Sequence, residues 1–172
     1  FKKLIFFSTA NLYSPSKNIS ETSKIEVQSP YGESKLINEK FLYHYSKGKK
    51  FKIGIFRLFN AAGGDIVGNF KYKIKKKNNL LIPSLIRALN KNKTFNLNGI
   101  KHKTPDGTCI RDFIHVYDIA NAVNCFIKKR QTNIFNVYNL GSSKGYSVKQ
   151  IVKNFEYYSK KTMKLKILEN KK

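Results

Sequence analysis

The chain has 172 residues, of which 41% are hydrophobic and 13% aromatic, so it can build one ordinary core and is not an intrinsically disordered chain. Its formal charge of +24 comes mostly from lysines that are spread along the sequence. Because nucleic-acid readers use arginine forks and clustered patches, this dispersed charge speaks against nucleic-acid binding.

The apolar runs and the cysteines bear on membrane association and on the cellular compartment. No apolar run approaches the roughly 18–20 residues that a membrane-spanning helix needs, so we expect no membrane association. Cys109 and Cys125 are too few and too far apart for a disulfide framework or a metal site. They predict reduced thiols and a cytoplasmic protein without a bound metal.

The first third of the sequence predicts a β-α-β unit. Residues 4–8 and 51–59 have the composition of buried strands, and residues 30 to about 47 indicate a helix. Ser29 suits the cap of that helix, and Pro30 suits its first position. Residues 60–65 are rich in turn formers and follow the second strand, where open α/β sheets bind ligands.

The rest of the sequence continues to alternate strands and helices. The predicted segments are a basic loop at 71–77, a helix at 83–90, a strand at 113–116, a helix capped by Asp118 that ends near 129, a strand at 134–140, a helix capped by Ser147 that ends near 160, and a strand at 163–168. We therefore predict an α/β fold: part of a doubly wound parallel, Rossmann-like sheet plus a smaller α/β portion that binds substrate.

Tyr31 and Lys35 form the most informative local motif. Their four-residue spacing places both side chains on one face of the predicted helix. An ammonium about 4–6 Å from a phenol stabilises the phenolate, so the pair can serve as an acid–base device. The alternative is a packing tyrosine beside a solvated lysine, and the motif alone does not decide between the two.

The glycines do not form the phosphate-binding turn of a dinucleotide enzyme. Such a turn joins a first strand to a helix with the spacing G-x-G-x-x-G. Gly63, Gly64 and Gly68 precede the basic loop instead, and the stretch from Gly141 to Gly145 lacks the spacing. Tight turns are sufficient to explain both groups.

Five segments together resemble the extended short-chain dehydrogenase/reductases. They are FFSTANLY at 6–13, SPYGESK at 29–35, RLFNAAG at 57–63, TPDGTCIRDFIHV at 104–116 and YNLGSSKGYSV at 138–148. The last two are similar to the UDP-glucose 4-epimerase group of that family. The resemblance covers nearly the whole chain and implies NAD-dependent epimerisation at C4 of a UDP-hexose, through a 4-keto intermediate that interconverts UDP-glucose and UDP-galactose.

The same resemblance implies a catalytic trio of Thr9, Tyr31 and Lys35. Tyr31, as a phenolate, takes the proton of the sugar 4-hydroxyl while hydride passes from C4 to NAD. Lys35 stabilises the phenolate and hydrogen-bonds the nicotinamide ribose, and Thr9 bridges the substrate oxygen to Tyr31. Without the resemblance, Thr9 is an ordinary hydroxyl at the end of a strand.

The resemblance also implies which residues bind the ligands. Those of the cofactor side are Ser8, Tyr31, Lys35 and Phe59, and those of the UDP-sugar side are Thr9, Asn60, Asn79, Leu80 and Arg111. A guanidinium fork suits a diphosphate, and amides suit uracil or phosphate oxygens. Without the resemblance, Arg111 beside Asp112 indicates a surface ion pair, and His115 indicates a structural residue.

The family pattern extends beyond this sequence at both ends. It implies a dinucleotide-binding half before Phe1 and further substrate contacts after Lys172. Residues 1–60 then form the end of the dinucleotide-binding domain, and residues 61–172 form mainly the substrate-binding portion, with a strand and a helix returning to the main sheet. We expect the segment alone to be inactive and the full-length protein to be a homodimer.

Two positions depart from the family pattern. Leu58 stands where the family usually has a tyrosine, and this concerns the sugar side of the pocket. Asn98 stands where it often has an aromatic residue, and this concerns the uracil side.

Three alternative functions stay open at this point. A nucleotide-sugar 4,6-dehydratase has the same fold, but it usually carries Thr-Asp-Glu where this chain has Thr9-Ala10-Asn11, which lacks the acidic pair for eliminating water. A non-catalytic remnant of a truncated gene is the second alternative. A basic binding module is the third.

Overall fold

The computed structural model describes residues 2–16, 18–48, 51–68 and 79–168, which form two compact units. The first unit contains Phe1–Ile66 and Phe113–Ser142, and the second contains Val67–Asp112 and Ser143–Lys172. The basic loop predicted at 71–77 lies outside the described residues. The boundary predicted near residue 60 divides the dinucleotide-binding domain from the substrate-binding portion. This division by function stays a prediction.

Eight strands and four helices are described. In chain order they are β1 (Lys3–Thr9), α1 (Pro30–Ser46), β2 (Lys52–Leu58), β3 (Asn60–Ala62), α2 (Leu81–Asn90), β4 (Phe95–Asn98), β5 (Ile110–His115), α3 (Val116–Lys128), β6 (Phe135–Leu140), β7 (Gly145–Ser147), α4 (Val148–Ser159) and β8 (Leu165–Leu168). A short 3-10 helix, Ala10–Leu12, follows β1.

The first unit is built on a parallel sheet with the strand order β1-β2-β6. Neighbouring residues of β2 point to opposite faces of this sheet. Arg57 of β2 contacts Glu39 of α1, whereas the adjacent Phe56 packs against Phe126 of α3. The two helices therefore cover opposite faces, and the predicted α/β class with a doubly wound parallel sheet is confirmed.

The stretch after β2 differs from the prediction of a turn at 60–65. Residues 60–62 form strand β3, which pairs in parallel with residues 113–115 of β5 in the same unit. Three-residue strands of this kind depend on their distant partner, so the local turn formers gave the wrong assignment for these residues.

The second unit has a separate apolar core. Strand β4 pairs in parallel with β8, and residues 110–112 of β5 pair antiparallel with β7. The buried residues of this core are Leu85, Ala88, Phe95, Leu97, Val148, Val152 and Met163. They come from α2, β4, α4 and the segment before β8, so both helices of the described part of this unit contribute to its core.

Two predicted helix starts need correction. Helix α2 begins at Leu81 rather than 83, with Pro83 still in its first turn, where a missing N–H costs nothing. Helix α3 is capped by His115, whose Nδ1 accepts the Tyr117 backbone N–H at 3.1 Å. Asp118 is the third residue of that helix, three positions after the cap, so its prediction as the cap was wrong.

The predicted cap of α4 is confirmed. The Ser147 hydroxyl accepts the Gln150 N–H at 3.1 Å, and the Gln150 side chain accepts the Ser147 N–H at 2.8 Å. This reciprocal pair is a capping box.

Strands β4 and β7 were not predicted at all.

The described ranges show neither a candidate membrane-spanning helix nor a candidate metal-binding cluster. No helix in these ranges has both the length and the apolar character needed to cross a membrane. Nor do these ranges bring together three or more His, Cys, Asp or Glu side chains that could hold a metal ion.

Candidate active site

Lys35 lies between strand β1 and the phenol of Tyr31. Its Nζ donates a hydrogen bond to the Phe7 carbonyl at 2.9 Å and lies 5.8 Å from the centre of the Tyr31 ring. It also lies 4.9 Å from the centre of the Phe6 ring. An ammonium has three donors, so two remain for a ligand after the bond to Phe7. The pair therefore has the geometry of a charged amine held beside an accessible phenol.

The sequence places this pair at the very start of α1 for local reasons. The Ser29 hydroxyl accepts the Gly32 N–H at 3.1 Å, and Pro30 occupies the first turn. Gly32 is buried, and a Cβ there would lie 2.6 Å from a methyl group of Val27. The first turn of α1 can approach the loop after β1 only because residue 32 has no side chain. Tyr31 remains 53% exposed beside it.

Thr9 and Ser8 end strand β1 in the same unit. The Thr9 hydroxyl accepts the Asn11 N–H at 3.2 Å and caps the short 3-10 helix. Accepting this bond leaves its O–H free to donate. Ser8 is 3% exposed, and its hydroxyl has no hydrogen-bond partner among the described residues. Buried hydroxyls are normally paired, so Ser8 is an unsatisfied donor at the ligand end of the strand.

Phe59 and Asn60 follow β2, so both lie at the carboxyl end of the same parallel sheet. The Phe59 N–H donates to the Leu140 carbonyl at 3.0 Å, and Asn60 begins β3 opposite Phe113. The structure thus groups the cofactor-side residues and two substrate-side residues, Thr9 and Asn60, on the first unit. Their roles stay predictions.

The remaining predicted substrate residues belong to the second unit. Asn79 and Leu80 are exposed and directly precede α2. Arg111 is exposed on β5, directly opposite Tyr146 of β7. Their roles also stay predictions.

A hydrogen-bond network around Asp106 lies just before the strand that carries Arg111. The Asp106 carboxylate accepts the Ser147 hydroxyl, the Thr108 hydroxyl at 2.6 Å and the Thr108 N–H at 2.8 Å. The Lys149 ammonium donates to the Asp106 carbonyl at 2.9 Å. This network fixes the turn before β5 to the start of α4, and Thr108 at its centre is fully buried. Sequence reasoning missed it, although Asp-Gly followed by a hydroxyl residue is typical of a side-chain-closed turn.

These bonds favour the charged carboxylate. The Ser147 hydroxyl, then the Thr108 hydroxyl and N–H and the nearby Lys149, lower the pKa of Asp106 to about 2. An unfolded aspartate has a pKa of about 3.9. The folded pKa is the lower one, so the carboxylate stabilises the fold above about pH 4 and loses this effect as the pH falls towards 2.

Asp106→Asn should therefore destabilise the protein near neutral pH and do so much less in acid. The amide cannot accept both hydroxyl bonds as a carboxylate does. We expect the difference in the free energy of unfolding between wild type and variant to be largest at about pH 7 and to shrink below about pH 4. Urea unfolding followed by circular dichroism across this range measures it. Ser147→Ala, which removes one of these bonds, should show the same trend on top of a loss that does not depend on pH, because it also removes the cap of α4. A difference that stays constant with pH would contradict the assignment.

A buried ion pair in the first unit was also missed. Arg57 of β2 and Glu39 of α1 are each 5% exposed, and Nη2 lies 2.6 Å from Oε2. Burial alone lowers the pKa of Arg57, but the hydrogen bonds and charge of Glu39 and the hydroxyl of Tyr13 outweigh it and raise the pKa. The signal in the sequence is an arginine inside an otherwise apolar strand, which requires a buried partner.

Comparison with known proteins shows the family of the chain. Residues 1–141 match the NAD dependent epimerase/dehydratase family. The chain is 38% identical over 160 residues to a UDP-glucose 4-epimerase of Mycoplasma genitalium, covering 87% of this chain and 46% of that one. The crystal structure of UDP-glucose 4-epimerase from Bifidobacterium longum in complex with NAD+ and UDP has a TM-score of 0.86 and 31% identity, over 98% of this chain and 52% of that one. The structure of the Brucella ovis enzyme in complex with NAD gives 0.85 and 30%, over 99% and 53%.

A helix between two parallel strands, with a lysine and a tyrosine near the carboxyl end of the first strand, is typical of a Rossmann-like α/β domain. The chain belongs to the NAD dependent epimerase/dehydratase family. It spans about half the length of the relatives that it matches.

Proposed function

We propose that the full-length protein catalyses the NAD-dependent interconversion of UDP-glucose and UDP-galactose by inverting C4 of the sugar. The observation that carries the proposal is the placement of Lys35 between the Phe7 carbonyl and the Tyr31 ring at the end of β1. The names of the relatives and of the solved structures support the choice of substrate.

The residues present fit the reactive end of NAD. Ser8 supplies a buried hydroxyl without a partner among the described residues, and the Lys35 ammonium keeps two donors for ribose hydroxyls. Phe7, which is 43% exposed, and Phe59 offer apolar surface near the same strand ends. Bound there, NAD would supply the acceptor and donor of the C4 hydride.

The chain's own residues would handle the proton and the orientation of the substrate. Tyr31, as a phenolate, takes the proton of the 4-hydroxyl, and the charge of Lys35 stabilises the phenolate. The Thr9 O–H, which is not used when the oxygen accepts the Asn11 N–H, donates to the same sugar oxygen. Once the 4-keto sugar has turned to present its opposite face, return of the hydride to C4 would invert that centre, and Tyr31 would give its proton back to the 4-oxygen.

On the substrate side, Arg111 would hold the diphosphate, since a guanidinium fork matches phosphate oxygens. Asn60, Asn79 and Leu80 are proposed neighbours of the UDP group. Leu58 and Asn98 are the positions to vary if the preference among UDP-sugars differs from that of the relatives.

An assay of the full-length protein with NAD tests this function. UDP-galactose should convert to UDP-glucose, as resolved by anion-exchange chromatography and proton NMR, and a deuterium label at C4 should stay in the product. Loss of water from C6, which gives a 4-keto-6-deoxy sugar, would instead identify a dehydratase. No turnover of UDP-galactose in either sense would overturn the proposal.

Other expectations about the full-length protein stay predictions. A homodimer is supported by exposed apolar residues on α1, where Ile37 and Phe41 are each 63% exposed. A cytoplasmic location is supported by the free thiols of Cys109 and Cys125. We also expect no binding to nucleic acid or membranes.

A further inference from the structure

The buried ion pair joins the middle of α1 to the central strand of the sheet. Arg57 meets Glu39 through three contacts: Nη2 to Oε2 at 2.6 Å, Nε to Oε1 at 3.1 Å and Nε to Oε2 at 3.2 Å. Such a fork fixes direction as well as distance, which a single-point contact does not. The pair therefore restrains rotation of α1 about its own axis.

Arg57 is itself held from the other side. Its Nη1 donates to the Tyr13 hydroxyl at 2.7 Å, and that hydroxyl donates to Oδ1 of Asn139 at 2.7 Å. Asn139 lies directly beside Arg57 in the β2–β6 pairing, and its N–H donates to a Glu21 carboxylate oxygen at 2.7 Å. The guanidinium is therefore held by Tyr13, whose own position is fixed by Asn139 and, through it, by Glu21. It cannot follow a movement of the helix.

Glu39 shares its face of α1 with the proposed acid–base pair. Tyr31, Lys35 and Glu39 are spaced by four residues, so they form one row along the helix. Arg57 lies directly beside Ser8 in the β1–β2 pairing, and the Phe7 carbonyl that receives Lys35 is one residue away. Neighbouring positions near the carboxyl ends of β1 and β2 thus hold the row at two successive turns.

We infer that Glu39 and Arg57 are positioning residues, which set the rotation of α1 and thereby the placement of Tyr31 and Lys35 at the end of β1. The inference rests on the proposed function for its catalytic consequence. Neither residue touches the reacting atoms. Their effect reaches the chemistry through the helix that they orient.

A purely stabilising role is the competing explanation, and it makes a different prediction. Replacing a buried ion pair with apolar residues of similar size is often neutral or stabilising, because both charges return to water on unfolding. Replacing one partner alone leaves a buried charge without its counterion and destabilises the fold. The double replacement therefore separates orientation from stability.

The decisive variant is Glu39→Leu/Arg57→Met in the full-length protein. We expect a melting temperature close to that of wild type, a KM for UDP-galactose within about threefold, and a kcat lowered by about 10- to 100-fold. A displacement of about 1 Å in the reacting groups costs up to about 10²-fold. Wild-type kcat in a stable double variant would overturn the inference.

Arg57→Lys provides a second test if the double variant does not fold. It keeps the buried charge but replaces the fork with a single-point contact, and we expect kcat to fall about tenfold with little change in KM. Lys40→Ala is the matched control, since it changes an exposed residue next to Glu39 on the same helix. It should keep the kcat of wild type. A wild-type kcat in Arg57→Lys would count against the inference.

A measurement without cofactor separates this inference from the proposed function. In protein labelled with carbon-13 tyrosine, the Tyr31 ring signal is assigned by its absence in Tyr31→Phe. The signal should shift in the double variant and in Arg57→Lys, because the Lys35 ammonium next to the ring moves, and it should stay in place in Lys40→Ala. An unmoved Tyr31 signal refutes the positioning role, whereas an inactive wild-type protein refutes only the proposed epimerase.

Discussion

Tyr31→Phe should reduce the kcat for interconversion of UDP-galactose and UDP-glucose by about 10²–10⁴-fold, the usual contribution of a positioned general acid or base. Phenylalanine keeps the ring beside Lys35 but removes the O–H that exchanges the proton with the sugar. The measurement is the initial rate of the full-length enzyme with NAD, followed by chromatography of the two nucleotide sugars.

The expected defect is chemical rather than structural. Tyr31 is 53% exposed, so removing its hydroxyl leaves no buried polar group without a partner. The melting temperature and the retention of NAD should therefore match those of wild type. Tyr43→Phe is the matched control, because it deletes the same hydroxyl from a tyrosine of the same helix that is 46% exposed. It should keep wild-type activity, and a Tyr31→Phe enzyme of wild-type activity would disprove the acid–base role.

The parts of the fold that sequence predicted correctly are those with local causes. Helix α1 begins at Pro30 because Ser29 caps it and proline fits its first turn, and both facts can be read from these two residues. The α4 cap was found for the same reason. Strands β1, β2 and β6 form a parallel sheet whose central strand β2 is mostly buried, and their mainly apolar runs are visible in the sequence.

The parts that were missed depend on distant partners. Strands β4 and β7 have four and three residues, and pairing with β8 and β5 defines them rather than their own composition. His115 caps α3 through a ring nitrogen, whereas sequence statistics favour Asp118 in that role.

The candidate site shows the same division between local and distant causes. The Tyr31–Lys35 spacing is a property of one helix, so it could be found without a structure. The orientation of that helix depends on Glu39 and Arg57, which are 18 residues apart, and on Tyr13, which is 44 residues from Arg57. No periodic pattern connects these positions, and only the fold brings them together.

Gly107→Ala should cause the largest loss of stability in the second unit. Gly107 has a φ of +77°, and a Cβ there would lie 2.3 Å from the carbonyl oxygen of Ile100. The left-handed conformation costs alanine about 1–2 kcal/mol, and overpacking adds about 1–3 kcal/mol, so we expect a total of about 2–5 kcal/mol. The obstacle is backbone rather than a flexible side chain, and the turn cannot relax easily. Gly107 is already fixed by hydrogen bonds to Thr104 and His102, of 3.1 and 3.0 Å.

Gly68→Ala isolates the contribution of the steric contact. Gly68 belongs to the same unit and has a nearly equal φ of +79°, but a Cβ there would meet none of the described residues within 4 Å. It should therefore cost only the conformational part, about 1–2 kcal/mol. Urea unfolding of both variants gives the two free energies, and equal losses would show that Ile100 does not restrict residue 107. A larger loss for Gly107→Ala, together with a raised KM for UDP-galactose, would link the tightness of this turn to the placement of Arg111, which lies four residues further along the chain.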